Sequence, residues 1–137
     1  MLDFDLHKMV YIAKDAIKHF FVSIFGFTYI IVYLFISILL NVAIWVLARF
    51  ILTQIDSNML ALHYTVGFGI DYYDNAAKIF IIPLIGLFVI LVNSLLYSML
   101  SGHKDRRFLS HILFITAIFV NIILLSSAAS VYLINFT

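Results

Sequence analysis

The stretch FFVSIFGFTYIIVYLFISILLNVAIWVLA, residues 20–48, decides the architecture. Across its 29 residues there is no Asp, Glu, Lys, Arg or His. A helix crosses a ~30 Å hydrocarbon core with about 20 apolar residues, so this run is long enough to span. A secretory signal peptide has a shorter apolar region and ends at small residues. Here the run ends in VLARF, with no A-x-A-like site. Retention in the membrane is the better reading.

Two more runs repeat the pattern. Residues 79–101 and 112–137 are equally free of charge, the second preceded by His111. Of the 137 residues, 65% are hydrophobic and 11% charged, too little polar surface to cover a soluble globule. The expected fold is an all-α membrane protein of three transmembrane helices. The single domain divides into an amphipathic helix at 3–19, span one at 20–48, an outer loop at 49–78, span two at 79–101, a tight turn at 102–107 and span three at 108–136.

Orientation follows the basic residues. Lys8, Lys14 and Lys18 precede span one, and Lys104, Arg106 and Arg107 fill the GHKDRR turn. Only Arg49 and Lys78 bracket the 49–78 loop. Six against two puts the N-terminus and the turn in the cytoplasm, with the loop and the C-terminal INFT outside. The N-terminal segment places Leu6, Met9, Val10, Ala13, Ile17 and Phe20 on one helical face, opposite Lys8, Asp15 and Lys18. Such a helix lies in the headgroup plane or continues span one.

Polar residues inside the spans carry the next signal. Tyr29, Tyr33, Ser37, Asn41 and Trp45 recur every fourth residue along span one. Span two carries Pro83 near its start and then Gly86, Asn93, Tyr97 and Ser101; span three carries Ala117, Asn121 and Ala128. Helices in lipid associate through close packing of small residues and interhelical hydrogen bonds. An Asn amide facing hydrocarbon would be unsatisfied. Asn41, Asn93 and Asn121, with Gly86 and Ser37, are therefore expected to face protein. No ionisable side chain accompanies them at depth, which disfavours a transport path.

No motif for catalysis is present: no H-E-x-x-H, no G-x-S-x-G, no phosphate-binding glycine loop. Cysteine is absent, so thiol chemistry is too. With a net charge of +1, nucleic acid is not an expected partner. His63, Asp71 and Asp74 share the outer loop, and His103 and His111 flank the basic turn, where interface anchoring is the plain reading. No metal and no cofactor are expected. The expected protein is non-enzymatic.

The outer loop holds HYTVGFGID, residues 63–71. Thr65, Val66, Gly67, Phe68 and Gly69 have the residue types of a potassium-channel filter, where carbonyls around a fourfold axis replace the ion's hydration. In such filters Asp or Asn usually follows the last Gly; here Ile70 intervenes before Asp71. A pore helix would have to come from TQIDSNMLALHY. The segment LALHYTV alternates apolar and polar residues as a strand does, laying Leu60, Leu62, Tyr64 and Val66 on one face.

From LHYTVGFGID through IFIIPLIGLFVILVN, over residues 62–135, the chain resembles a family of small uncharacterised three-span membrane proteins of genome-reduced bacteria. The shared pattern is LHY, three variable positions, FGID, a Pro-containing helix ending in Asn, and a last helix. The resemblance implies that His63, Tyr64, Phe68, Gly69 and Asp71 form the loop motif and that TVG is a variable patch. It implies a bacterial cytoplasmic (inner) membrane and carries no activity over to this chain. The expected role is a structural, assembly or interaction subunit whose partners are the bilayer, other membrane proteins or itself. The alternative is a tetrameric potassium-type pore lined by Thr65–Gly69.

Overall fold

The computed structural model describes residues 6–55, 59–65, 69–100 and 102–136, with side chains at 8–24, 26–55, 59–61, 73–100 and 102–136. Helix α1 covers Leu6–Phe25 and α2 covers Thr28–Gln54. A hairpin of β1, Met59–Thr65, and β2, Gly69–Asn75, follows. A 3₁₀ segment, Ala76–Phe80, leads into α3, Ile81–Met99, and α4, Arg106–Phe136, completes the described fold. Three of these stretches, Thr28–Gln54, Ala76–Met99 and Arg106–Phe136, are long and apolar enough to cross a membrane.

The first uncharged run is not one helix. It divides at Gly26 and Phe27, so residues 20–25 belong to α1 rather than to the span. Phe27 is extended (φ −134°, ψ 120°) and its side chain makes no capping bond. A Cβ on Gly26 would lie 3.0 Å from the Val22 carbonyl oxygen, so the chain leaves α1 through the residue that has none. At its other end the span runs past the uncharged stretch, because α2 carries Arg49 and continues to Gln54. Its 27 residues measure about 40 Å at ~1.5 Å rise per residue, so it tilts in or projects from a ~30 Å core.

The outer loop is correspondingly shorter than 49–78, and its regular part is the hairpin. The all-α expectation misses these two strands. They pair antiparallel, with Met59 opposite Asn75, Ala61 opposite Tyr73 and Thr65 opposite Gly69. The pairing skips one residue on each strand, Leu62 and then Asp71, so the two offsets cancel and the register is restored. At the other end, Arg106 and Arg107 belong to α4 rather than to the turn. Turn bonds run from the Leu100 N–H to the Tyr97 carbonyl (3.1 Å) and from the His103 N–H to the Leu100 carbonyl (3.0 Å).

Helices α2, α3 and α4 form an up-down-up bundle in which α4 packs against both others. Large apolar side chains cover its outside: Phe35, Val46, Phe88, Leu95, Phe119 and Ile123 are all exposed. In water that surface would aggregate; in lipid it is solvated. Exposed hydroxyls on this surface satisfy themselves, Ser126 donating to the Ile122 carbonyl (3.0 Å) and Ser130 to the Ser126 carbonyl (3.0 Å). Helix α1 packs on the bundle near its end, through Phe20 and Ile24, and leaves Met9, Val10, Ile12 and Ile17 exposed.

Candidate functional site

The polar stripe of α2 runs down the bundle axis and meets a different partner at each level. At mid-depth, Asn41 Nδ2 donates to the Pro83 carbonyl of α3 (2.9 Å) and to Asn121 Oδ1 of α4 (3.1 Å). Asn121 Nδ2 in turn donates to the Ala117 carbonyl of its own helix (2.9 Å). Asn41 and Asn121 are 4% and 0% exposed, so one node ties all three spans in a dry interior. Each such bond contributes about 0.6 kcal/mol on average in a membrane bundle.

Gly86 makes the node possible. A Cβ there would lie 2.5 Å from Asn121 Oδ1 and 2.6 Å from Asn41 Nδ2. Those separations are below contact, so any side chain at 86 would displace both amides. Ser37, one turn from Asn41, is fully buried, and among the described residues its hydroxyl has no hydrogen-bond partner. Asn93 is 8% exposed and lies with Gly86, Ile90 and Tyr97 on the buried face of α3. Trp45, at the stripe's end, stacks on Phe80 with ring centroids 5.3 Å apart.

Above this level an aliphatic cluster of Ala48, Ile51, Leu60, Ala76, Ile79 and Val131 joins the hairpin to the spans. Asn135 completes the join. Its Oδ1 accepts from the Ala61 N–H (3.0 Å), and its Nδ2 donates to the Ala61 carbonyl (2.9 Å) and the Val131 carbonyl (2.8 Å). The side-chain amide thus stands where a neighbouring strand would, satisfying both outward backbone groups of one β1 residue. Sequence reasoning missed this residue. The signal was present: Asn121, Ala128 and Asn135 recur at spacings of seven, and the stripe needed one more step.

Of the expected loop motif and the filter-like string, His63, Tyr64 and Thr65 lie in β1, and Gly69 and Asp71 lie in β2, with their side chains outside the described residues. Val66, Gly67 and Phe68 lie outside them altogether. Leu60, expected over the span ends, is fully buried. Thr65 and Gly69, the first and last residues of the filter-like string, are partners across the antiparallel ladder. Where a channel would build its pore helix, the described residues hold the end of α2 and the strand β1. Asp74 pairs with Lys78, and Asn75 Oδ1 caps the 3₁₀ segment by accepting from the Ala77 N–H (2.9 Å). No cluster with metal-ligand composition occurs among the described residues.

At the opposite end the stripe continues into aromatic and basic groups. Ser110 Oγ donates to the Arg107 carbonyl (2.7 Å), so the Tyr29 hydroxyl, 3.1 Å away, donates to Ser110. Tyr33 and His111 Nδ1 share a bond of 2.9 Å, and the His111 ring stacks on Tyr29 at 4.9 Å. His111 is therefore bonded to and stacked on α2. Comparison with protein-family models, with curated proteins and with solved structures finds no match.

Proposed function

We propose that the chain is a non-enzymatic subunit of a bacterial cytoplasmic membrane, with the basic turn inside and the hairpin outside, presenting that hairpin to a membrane partner. The observation that carries this reading is the Asn135 clamp, whose two bonds to Ala61 fix the hairpin to α4. A docking element held this way loses little freedom on binding, which favours affinity. The interior supports the same role. Asn41 and Asn121 are used in bonds between the spans, as glue rather than as the lining of a path.

A photo-crosslinking residue placed at Tyr73, exposed on β2, tests the reading in native membranes. The expected result is a discrete adduct with one partner or a second copy, lost in Asn135→Ala at equal protein level. A smear, or an adduct indifferent to Asn135→Ala, removes the proposal. The alternative is a tetrameric potassium pore formed by Thr65–Gly69, supported by the TVGFG string. It requires fourfold assembly and potassium flux into liposomes that Gly67→Ala abolishes; the interaction reading expects no flux. The hairpin pairing of Thr65 with Gly69 favours the interaction reading, because a filter runs as one extended segment.

A further inference from the structure

The described residues include a cavity of about 600 Å³ at the end of the bundle opposite the hairpin, lined by Phe27, Thr28, Tyr29, Lys104, Arg106 and Arg107. Three of the six lining side chains are cations, and no carboxylate is among them.

Arg106 is the sharpest part of the observation. Its Nε and Nη2 are buried and make no hydrogen bond of good geometry among the described residues, with the likewise unpartnered Tyr97 hydroxyl close by. Aromatic rings hold the guanidinium in place, Tyr97 at 4.7 Å and Phe27 at 5.6 Å from ring centroid to Cζ. Arg107 lies over Tyr29 at 6.0 Å. A buried guanidinium edge without an acceptor is costly unless an anion meets it, and planar N–H pairs suit phosphate oxygens. The first turn of α2, whose N-cap Phe27 makes no side-chain capping bond, lines the same cavity at Thr28 and Tyr29, and a helix N-terminus favours an anion.

We infer that this cavity binds the phosphate of an anionic phospholipid. Phosphate is the shared chemistry of a lipid headgroup and a free ion. The lipid is favoured because the cavity lies where two membrane-length helices begin and because Phe27 and Tyr29 give it an apolar wall. The site depends on the membrane reading of the spans and not on the role proposed for the hairpin.

Native mass spectrometry of the full chain, released from nanodiscs of phosphatidylcholine with one-tenth phosphatidylglycerol, provides the test. One phosphatidylglycerol retained per chain is expected, with retention falling about fivefold for each cation removed in Lys104→Gln, Arg106→Gln and Arg107→Gln. Lys104 and Arg107 are exposed, so their variants read binding even if Arg106→Gln weakens the fold. Lys14→Gln, outside the cavity, leaves retention unchanged. Equal retention of both lipids, or indifference to all three cavity variants, overturns the site. Displacement of the lipid by millimolar inorganic phosphate overturns the lipid assignment and makes the ligand a soluble phosphate.

Discussion

The two ends of the bundle are built on opposite principles. At the hairpin end, aliphatic side chains from α2, β1, the 3₁₀ segment and α4 close on one another, and Asn135 satisfies the exposed edge of β1. At the basic end, Ile24, Ile30, Tyr97 and Phe114 form an aromatic-rich cluster beside a guanidinium with unanswered donors. At the hairpin end no buried side-chain donor or acceptor among the described residues lacks a partner. The other end lines a cavity with three cations and, among the described residues, no carboxylate.

Gly86→Ala should have the largest effect and should not respect the difference. Overpacking costs about 1–3 kcal/mol, and parting the Asn41 and Asn121 amides adds about 0.6 kcal/mol for each bond lost. Reversible unfolding in mixed micelles reads the total. Hydrogen exchange should rise at both ends; a rise confined to one would show that the node does not couple them. Asn135→Ala breaks only the hairpin end, at about 1–3 kcal/mol for the Ala61 groups left unpaired. Exchange should quicken roughly tenfold or more across 59–75 while 106–114 holds its protection. Faster exchange at both ends would contradict the separation.

Tyr33→Phe is the matching change at the basic end. Losing the His111 bond should cost about 0.5–1.5 kcal/mol, with faster exchange at 106–114 and no change in the hairpin. Ser37→Ala should be smallest, within about 0.5 kcal/mol or slightly stabilising, because the hydroxyl it removes has no partner among the described residues. A loss above ~1 kcal/mol in the same unfolding measurement would mean that the hydroxyl is satisfied after all.

What could be read from the sequence follows from what lipid forbids. Charge cannot sit in hydrocarbon, so three uncharged runs marked three spans. Periodicity gave the stripe of Tyr29, Tyr33, Ser37, Asn41 and Trp45, because lipid penalises an unpaired amide. The division at Gly26 was hidden, since a lone glycine in an apolar run is a weak breaker and only the Val22 carbonyl decides its effect. The His111 contacts were hidden because they join α4 to α2, 78 residues earlier in sequence, for which spacing within one helix carries no signal. Alternation hinted at a strand near 60–66, but the pairing partner and its cancelling offsets belong to the register, which only the folded ladder fixes.

The Asn135 clamp also sets an order of events during synthesis. Ala61 and Asn135 are 74 positions apart, with the whole of α3 and nearly all of α4 between them. Strand β1 emerges from the ribosome while its lateral support is still untranslated. The hairpin can therefore lock only after the final helix has been threaded through the bilayer, and until then its outward edge stays open to chaperones or to neighbouring chains.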